Sequence, residues 1–217
     1  AALTVTDNEG ASSTVTVPIT TIAGPVPATV SVSGSIEYER VPFASVVGDG
    51  LDYTRTFVAP AREVEVQLVR SSDGVTLGTP AVTNAQGQYQ LAAPINTNVF
   101  VRARAVSRPA TAQAASWNIQ VRNNTNGNAL YVLDGNSFYS CVVNQTRNLR
   151  ATTGWGGGFA GEYTGTRAAA PFAILDTLYA AARFVIEQGD AGLQLPALNA
   201  YWSDRNVPVD GDVTQGE

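Results

Sequence analysis

Residues 63–68 read Glu-Val-Glu-Val-Gln-Leu, and this stretch decides the fold class of the chain. Apolar Val64, Val66 and Leu68 alternate with polar residues, which is the period of a β-strand with one face in a core. The same alternation runs through Val30–Tyr38. The sequence therefore predicts half-buried strands at both places.

Further strand-like runs follow the same rule and are separated by turn signals. Thr14–Ile19 also alternates and is predicted to be half-buried. Four dipeptides carry a glycine that can supply the positive φ of a tight hairpin turn: Asp73-Gly74, Gln86-Gly87, Asn126-Gly127 and Asp134-Gly135. The other candidate strands are Leu77–Asn84, Tyr89–Ala92, Val99–Ala105, Trp117–Val121 and Leu130–Leu133. Short strands at about ten-residue spacing are typical of a β-sandwich, so the predicted class is mainly β.

One amphipathic helix is predicted at about residues 170–188. Pro171 suits the first helical turn, and Gly189 can end the helix. Between them, apolar residues recur at spacings of three and four, namely Ile174, Leu175, Leu178, Tyr179, Ala182, Val185 and Ile186. We interpret this segment as a helix packed on a sheet.

Upstream, the periodicity fails over residues 140–166, which include a Gly-rich run, and a long loop is predicted there.

The composition excludes several kinds of chemistry. Of 217 residues, 44% are hydrophobic, which is enough for a packed core, but the chain has no His, no Met and no Lys. Without His there is no Ser-His-Asp triad and no imidazole metal site, and without Lys there is no Schiff base. A single cysteine excludes an intrachain disulfide. We therefore expect a protein that is not an enzyme.

Charge and termini point to a secreted piece of a larger product. The net charge is −5 and the 13 basic residues, all Arg, are scattered, so no nucleic-acid partner is expected. The longest apolar stretch, residues 168–186, is interrupted by polar residues, so no membrane span is expected. The first residue is Ala rather than Met, which indicates a processed fragment, and we expect a secreted or extracellular location on the bacterial cell surface.

The first seventeen residues carry a specific motif. The segment Leu3-Thr4-Val5-Thr6-Asp7-Asn8-Glu9-Gly10-Ala11-Ser12-Ser13-Thr14-Val15-Thr16-Val17 resembles the closing hairpin of a polycystic-kidney-disease (PKD) repeat. Only the last hairpin of such an immunoglobulin-like sandwich is present, and an isolated hairpin is marginally stable.

This orphan hairpin has three possible fates. It is the cut end of a longer chain, or it folds back as an edge of the next domain, or it adds strands to a neighbouring subunit as in donor-strand complementation. In the third case the assembly residues are Leu3, Val5, Val15, Val17 and Ile19.

The next region resembles a carboxypeptidase-regulatory-like or Cna-B-like repeat with a transthyretin-like sandwich. The residues that carry the likeness are 61–69, 72–75, 99–103 and Val82-Thr83-Asn84-Ala85-Gln86-Gly87-Gln88-Tyr89-Gln90-Leu91. The resemblance implies a non-catalytic spacer or adhesion module. Relatives of the pilin type can form a Lys–Asn isopeptide bond, which this chain cannot form because it has no Lys.

The last hundred residues resemble a region of large bacterial surface proteins that precedes an HExxH metallopeptidase-like domain. The likeness rests on residues 117–121, 128–134, 170–179 and 198–203. No HExxH motif lies in the chain, so any zinc peptidase activity would reside beyond Glu217.

Three weaker site candidates remain. Asp210, Asp212 and Glu217 offer oxygen ligands for Ca²⁺, as does the pair Asp49 and Asp52, against the simpler interpretation of solvated turns. The aromatic residues Trp155, Phe159 and Tyr163 suggest a glycan-binding face, against the simpler interpretation of loop anchors. Cys141 lies in an apolar run and is predicted to be buried, with an intermolecular disulfide as the alternative.

Four parts are predicted along the chain. They are an orphan hairpin or donor-strand segment (1–21), a proline-containing linker (22–27), an immunoglobulin/transthyretin-like sandwich (28–108), and a β-rich part with one helix and a Gly-rich loop (109–217). The expected function is a non-catalytic extracellular structural or adhesive module, with a filament subunit assembled through residues 3–20 as its most specific form. Its expected partners are copies of itself or neighbouring domains of a parent chain. The alternatives are the accessory region of a secreted zinc metallopeptidase and a polysaccharide-binding module.

Overall fold

The computed structural model describes residues 2–16, 28–46, 50–110, 114–157, 161–189 and 191–206. These residues form fifteen strands, one α-helix and one short 3₁₀ helix (Tyr53–Arg55). The α-helix is α1 (Ala169–Gln188), and the strands are β1 (Ala2–Thr6), β2 (Ser12–Thr16), β3 (Thr29–Arg40), β4 (Phe57–Pro60), β5 (Val64–Arg70), β6 (Thr76–Val82), β7 (Gln88–Pro94), β8 (Asn98–Ser107), β9 (Ile119–Asn123), β10 (Ala129–Leu130), β11 (Val132–Asp134), β12 (Phe138–Tyr139), β13 (Gln145–Thr146), β14 (Leu149–Ala151) and β15 (Leu198–Trp202).

Three sheets are present. An eight-stranded sheet runs in the order β10-β9-β8-β5-β6, with β11 and β12 also paired to β8 and β15 paired to β9. A five-stranded sheet is built around β3, which pairs with β4, β7, β13 and β14. The hairpin β1–β2 forms a sheet of its own. Buried side chains from the two large sheets and from α1 form one hydrophobic cluster, so the predicted mainly β, sandwich-like class with one helix is confirmed. This fold is compatible with immunoglobulin-like domains.

The alternation predicted for Val30–Tyr38 is confirmed in β3. Val32, Ile36 and Tyr38 have no exposed surface, while the residues between them are partly exposed. Gly34 is required where residue 147 passes the strand, because a Cβ at this position would lie 1.9 Å from the carbonyl oxygen of Arg147. The close approach lets β13 and β14 pair with β3 in parallel on either side of this point.

The half-buried interpretation of residues 63–68 is wrong in one respect. In β5 both faces are covered: Val64, Val66 and Leu68 are buried, and so is Glu65 at 7% exposure. The Glu65 carboxylate accepts hydrogen bonds from Arg104 and Arg108, which explains how an acidic residue is accommodated on the second face. The strand lies between β6 and β8, so both of its edges are paired as well.

Three of the four predicted glycine turns are confirmed. Gly74, Gly87 and Gly127 have positive φ, whereas Gly135 does not. A Cβ at position 135 would lie 3.3 Å from the end of the Leu149 side chain, a close contact that Leu149 would relieve by a shift of a few tenths of an ångström.

The predicted helix is confirmed as α1, and a buried carboxylate fixes it to the sheets. Asp176 accepts hydrogen bonds from the hydroxyl of Tyr38 (2.8 Å), from Arg40 (3.0 Å) and from Arg62 (2.7 Å). The apolar residues Phe172, Leu175, Tyr179, Ala182 and Ile186 are buried on the same element.

The length and mean hydropathy of α1, 1.4, also meet the criteria for a membrane span. Helices buried in the core of globular domains meet the same criteria, and α1 packs against β3, β8 and β9. The expectation that the chain has no span stays a prediction.

Two sequence expectations differ from the structure after residue 108. The predicted long loop over residues 140–166 contains β13 and β14, strands so short that they leave no periodic signal. Strands on both sides of residue 108 also share sheets: β9, β11, β12 and β15 extend the sheet of β5 and β8. The sandwich predicted for 28–108 therefore continues into the residues that follow it.

Candidate functional site

The N-terminal hairpin is a regular antiparallel pair. Its register runs from Ala2 opposite Thr16 to Thr6 opposite Ser12. The turn is closed by the Asp7 carboxylate, which accepts hydrogen bonds from the amides of Glu9 and Ala11 at 3.0 and 2.9 Å. Asp7 is thus the residue that fixes the turn.

The hairpin exposes the side chains that the sequence proposed for assembly, as far as the structure describes them. Val5 and Val15 are 62% and 61% exposed and lie on the same face, because Val15 is opposite Leu3 and the side chains of a strand alternate. On the other face Thr4 and Thr14 hydrogen-bond through their hydroxyls. The prediction that Thr14–Ile19 is half-buried is wrong for its described part, because Thr14, Val15 and Thr16 are all exposed. Val17 and Ile19 lie outside the described residues.

The aromatic residues proposed for glycan binding belong to a packed cluster. Tyr53 stacks on Trp155 with ring centroids 4.0 Å apart, and Tyr163 meets both rings edge-on. The Tyr53 and Tyr163 hydroxyls are hydrogen-bonded, and burial together with this bond raises the pKa of Tyr53 to about 12. Tyr53 covers one face of Trp155, which supports the loop-anchor interpretation; Phe159 lies outside the described residues. Glycan binding stays a prediction.

Beside this cluster lies a cleft of about 470 Å³. One part of its lining is a side of α1 that includes Ala173, Ile174 and Leu178, and another part includes Phe43 and Leu51. The remaining residues that line it are Glu39, Arg40, Val41, Tyr53, Thr153, Tyr163, Arg167, Ala169, Ala170, Thr177 and Trp202. The volume lies in the range of small-molecule sites, and most of the lining is apolar.

Two charged groups of the cleft have partners within the fold. The Glu39 carboxylate accepts hydrogen bonds from the amide of Thr153 (2.7 Å) and from its hydroxyl (3.1 Å). Arg40 is paired with the buried Asp176 at 3.0 Å. Arg40 is therefore paired with a carboxylate, whereas Glu39 is held by two neutral donors and keeps its negative charge in the cleft.

Arg167 differs from them. Its guanidinium carbon lies 4.0 Å from the centroid of the Tyr163 ring and 5.1 Å from that of Trp202, so the group is held between two aromatic side chains. Its Nε is buried and has no hydrogen-bond partner. Within the described residues the Arg167 side chain has no carboxylate partner either, so its N–H groups are donors without an acceptor.

The cation candidates receive no support from the described residues. Asp210, Asp212, Glu217 and Asp49 lie outside them. Asp52 caps the 3₁₀ helix by accepting from the amide of Thr54 and is paired with Arg55 at 2.6 Å. The part of the chain that the structure describes contains no group of three or more His, Cys, Asp or Glu side chains placed to hold a metal ion. Calcium binding stays a prediction.

The prediction that Cys141 is buried is wrong. Cys141 is exposed and has a φ of 27°, and the next residues, Val142 and Val143, are 50% and 61% exposed. The buried neighbour is Ser140, whose hydroxyl accepts from the amide of Thr97 and donates to a backbone carbonyl. The chain is anchored at Ser140 and turns outward after it, so the apolar run lies on the surface. The intermolecular disulfide stays a prediction.

Comparisons with known proteins give little further information. No protein-family model matches the chain, and no curated protein matches it. Among solved structures, the chain is similar to part of a 9R-lipoxygenase from Cyanothece PCC8801, with a TM-score of 0.27 and 12% identity. The match covers 62% of this chain and 18% of the lipoxygenase chain. A likeness this distant carries no argument about function, and the resemblance of the C-terminal part to a region ahead of a metallopeptidase stays a prediction.

Sequence reasoning missed most of the cleft. It proposed Trp155 and Tyr163 but not Tyr53, Arg167 or Trp202. These residues come from three segments separated by about a hundred and by about forty positions, and no local pattern links them. The sequence feature that pointed to the cleft was the group of aromatic residues in the Gly-rich segment, and it identified only one part of the lining.

Proposed function

We propose that the chain is a non-catalytic structural or adhesive module of a secreted bacterial surface protein. In this proposal it associates, through β-strand addition at the N-terminal hairpin, with copies of itself or with neighbouring domains of a parent chain. The resemblances of residues 3–17 to a PKD repeat and of residues 61–103 to a carboxypeptidase-regulatory-like repeat belong to the same proposal.

The observation that carries it is the isolation of the hairpin sheet. The strands β1 and β2 pair with each other and belong to neither large sheet, and the described side chains from Thr4 to Thr16 are exposed. A two-stranded sheet is at best marginally stable in water, and its two outer edges offer unpaired backbone groups. A partner strand would satisfy an edge, and a partner surface would bury the face that carries Val5 and Val15.

In the described residues, the hydrogen bonds within the hairpin hold its two strands together without pairing to the two large sheets. Its turn is satisfied internally by Asp7, and the hydroxyl pair Thr4–Thr14 ties the strands together on the polar face. The hairpin therefore has a defined register before any partner binds, which lowers the entropy cost of strand addition.

Deletion and surface variants test the proposal. The full chain, a variant lacking residues 1–20, and the single variants Val15→Glu and Thr14→Glu are compared by sedimentation velocity and negative-stain microscopy. We expect the full chain to form oligomers or filaments. Deletion and Val15→Glu should abolish them, and Thr14→Glu, on the opposite face of the same strand, should leave them intact.

Assembly that persists without residues 1–20 would contradict strand donation. A full chain that stays monomeric at all concentrations would contradict self-association and would leave a neighbouring domain as the partner to be tested with a longer chain.

A further inference from the structure

The cleft beside α1 combines a mostly apolar lining with one arginine, Arg167, whose N–H groups have no acceptor within the described residues. Its α1 wall, from Ala170 to Leu178, extends about 12 Å at the rise of an α-helix. The wall is made of small and aliphatic side chains, including Ala173 and Ile174, which offer contact area but no hydrogen bonds. Phe43, 80% exposed, and Leu51, 46% exposed, add apolar surface to the same lining.

An arginine whose side chain is partly removed from water normally has a carboxylate or another hydrogen-bond acceptor as its partner. Moving a cation away from water is unfavourable unless an anion or hydrogen-bond acceptors replace the water. Arg40, in the same cleft, has Asp176. Arg167 has only the rings of Tyr163 and Trp202, which provide cation–π attraction but no acceptor for its N–H groups.

A comparison within the chain shows that a buried, unpartnered Nε does not by itself identify an anion-binding arginine. The Nε of Arg147 is also buried without a partner, and its guanidinium lies over Phe138 at 4.1 Å. However, the Arg147 Nη2 donates to the side-chain oxygen of Gln145. Arg167 differs because none of its nitrogens has an acceptor within the described residues, and its terminal nitrogens are not among the buried, unpartnered atoms. Its terminal N–H groups are therefore donors without an acceptor in the described part of the chain, and an anion in the cleft would satisfy them.

From this combination we propose that the cleft binds a small amphipathic anion, a carboxylate carried on a medium-length aliphatic chain. The Nη atoms of Arg167 receive the carboxylate, and the chain lies along Ala173, Ile174 and Leu178. A bare inorganic anion would leave the apolar walls without contacts. A cation would meet Arg167 with like charge, and a neutral sugar would find most of the lining without hydrogen-bonding groups.

The two aromatic rings fix the geometry of the head group. A guanidinium held between Tyr163 and Trp202 loses little further side-chain freedom when it binds, which favours affinity. The proposal is independent of the hairpin and of strand addition, because the cleft contains no residue of β1 or β2.

The first test uses the unmodified chain and three probes of equal chain length below their micelle concentrations. Decanoate, decanol and decylammonium are titrated by calorimetry, with the fluorescence of Trp202 and the other tryptophans as a second readout. We expect saturable binding of decanoate, at least tenfold weaker binding of decanol, and no binding of decylammonium at the site. Equal affinities for decanoate and decanol, or no decanoate binding, would overturn the proposal.

The second test uses variants. A charge-assisted hydrogen bond corresponds to about a ten- to hundredfold change in affinity, so Arg167→Gln should weaken decanoate binding by this factor and leave decanol binding unchanged. Arg205→Gln removes an exposed arginine that does not line the cleft and serves as the matched control. Ala173→Phe should fill the cleft and abolish binding of both probes. Far-UV circular dichroism and thermal unfolding establish that each variant is folded.

Two outcomes would assign the cleft differently. If Arg167→Gln binds decanoate as well as the unmodified chain does, the arginine is not the anion site and the proposal fails. If a short peptide with an apolar C-terminal residue and a free carboxylate binds more tightly than decanoate, the occupant is a protein terminus and not a small molecule, which also overturns the proposal.

Discussion

Replacement of Asp176 by alanine should destabilise the fold more than any other removal of a single carboxylate. The Asp176 side chain is 5% exposed and accepts hydrogen bonds from Tyr38, Arg40 and Arg62. These three donors come from β3 and from the segment between β4 and β5, whereas Asp176 comes from α1. The carboxylate therefore joins the helix to β3 and to the segment that connects the two large sheets.

The magnitude follows from what the substitution leaves behind. Removing one partner of a buried ion pair costs about 3–5 kcal/mol, because the other partner stays buried without compensation. Arg40 and Arg62 are 37% and 32% exposed, so water can reach them in part, and we expect about 3 kcal/mol, the low end of that range. Asp176→Asn keeps the shape and one acceptor and should cost about 1–2 kcal/mol.

Urea unfolding followed by tryptophan fluorescence measures the free energy of unfolding. The matched control is Glu187→Gln on the same helix, which removes an exposed pair with Arg183 and should cost less than about 0.5 kcal/mol. The variants should change the midpoint and not the slope of the transition. An Asp176→Ala loss below about 1 kcal/mol, or a Glu187→Gln loss of equal size, would refute the assignment of Asp176 as the residue that fastens α1.

Three further predictions concern other parts of the molecule. Gly34→Ala should cost at least about 2 kcal/mol in chemical unfolding, since its Cβ would collide with the Arg147 carbonyl, and a loss no larger than that of Gly165→Ala, where an added Cβ makes only ordinary contacts, would contradict this. Burial and the nearby Asp176 raise the pKa of Tyr38 to about 12, so the folded state holds this proton more tightly than the unfolded state. Stability should fall as the pH rises from about 10 to 12, and Tyr38→Phe should make this fall less steep, with the remainder due to other tyrosines whose pKa is also raised, such as Tyr53. The Cys141 thiol should react with a thiol reagent in the native protein as fast as in urea, and protection in the native state would contradict its exposure.

The parts of the fold that the sequence predicted are those governed by local periodicity. The alternation in Val30–Tyr38 and the three-and-four spacing after Pro171 correspond to β3 and α1, because each element packs on a core along its whole length. Gly87 was predictable for a similar reason, since a tight turn requires positive φ.

The remaining parts depend on contacts between distant segments. β13 and β14 have two and three residues, and they are strands only because β3 lies beside them. The burial of Asp176 has no local signal either, because the two arginines and the tyrosine that bind its carboxylate come from elsewhere in the chain. The same limit applies to the cleft, where the missing partner of Arg167 is apparent only after three segments are brought together.

The parallel pairing of β13 and β14 with β3 has a consequence for biosynthesis. One edge of the twelve-residue strand β3 is completed by residues more than a hundred positions downstream, as in the hydrogen bond from the Ser31 amide to the Asn144 side chain. At ribosomal elongation rates this edge stays open for on the order of ten seconds after β3 is made. An apolar strand with an open edge is a template for aggregation during that interval. Export before folding, or a chaperone that covers β3, would protect the nascent chain until Ala151 has been added.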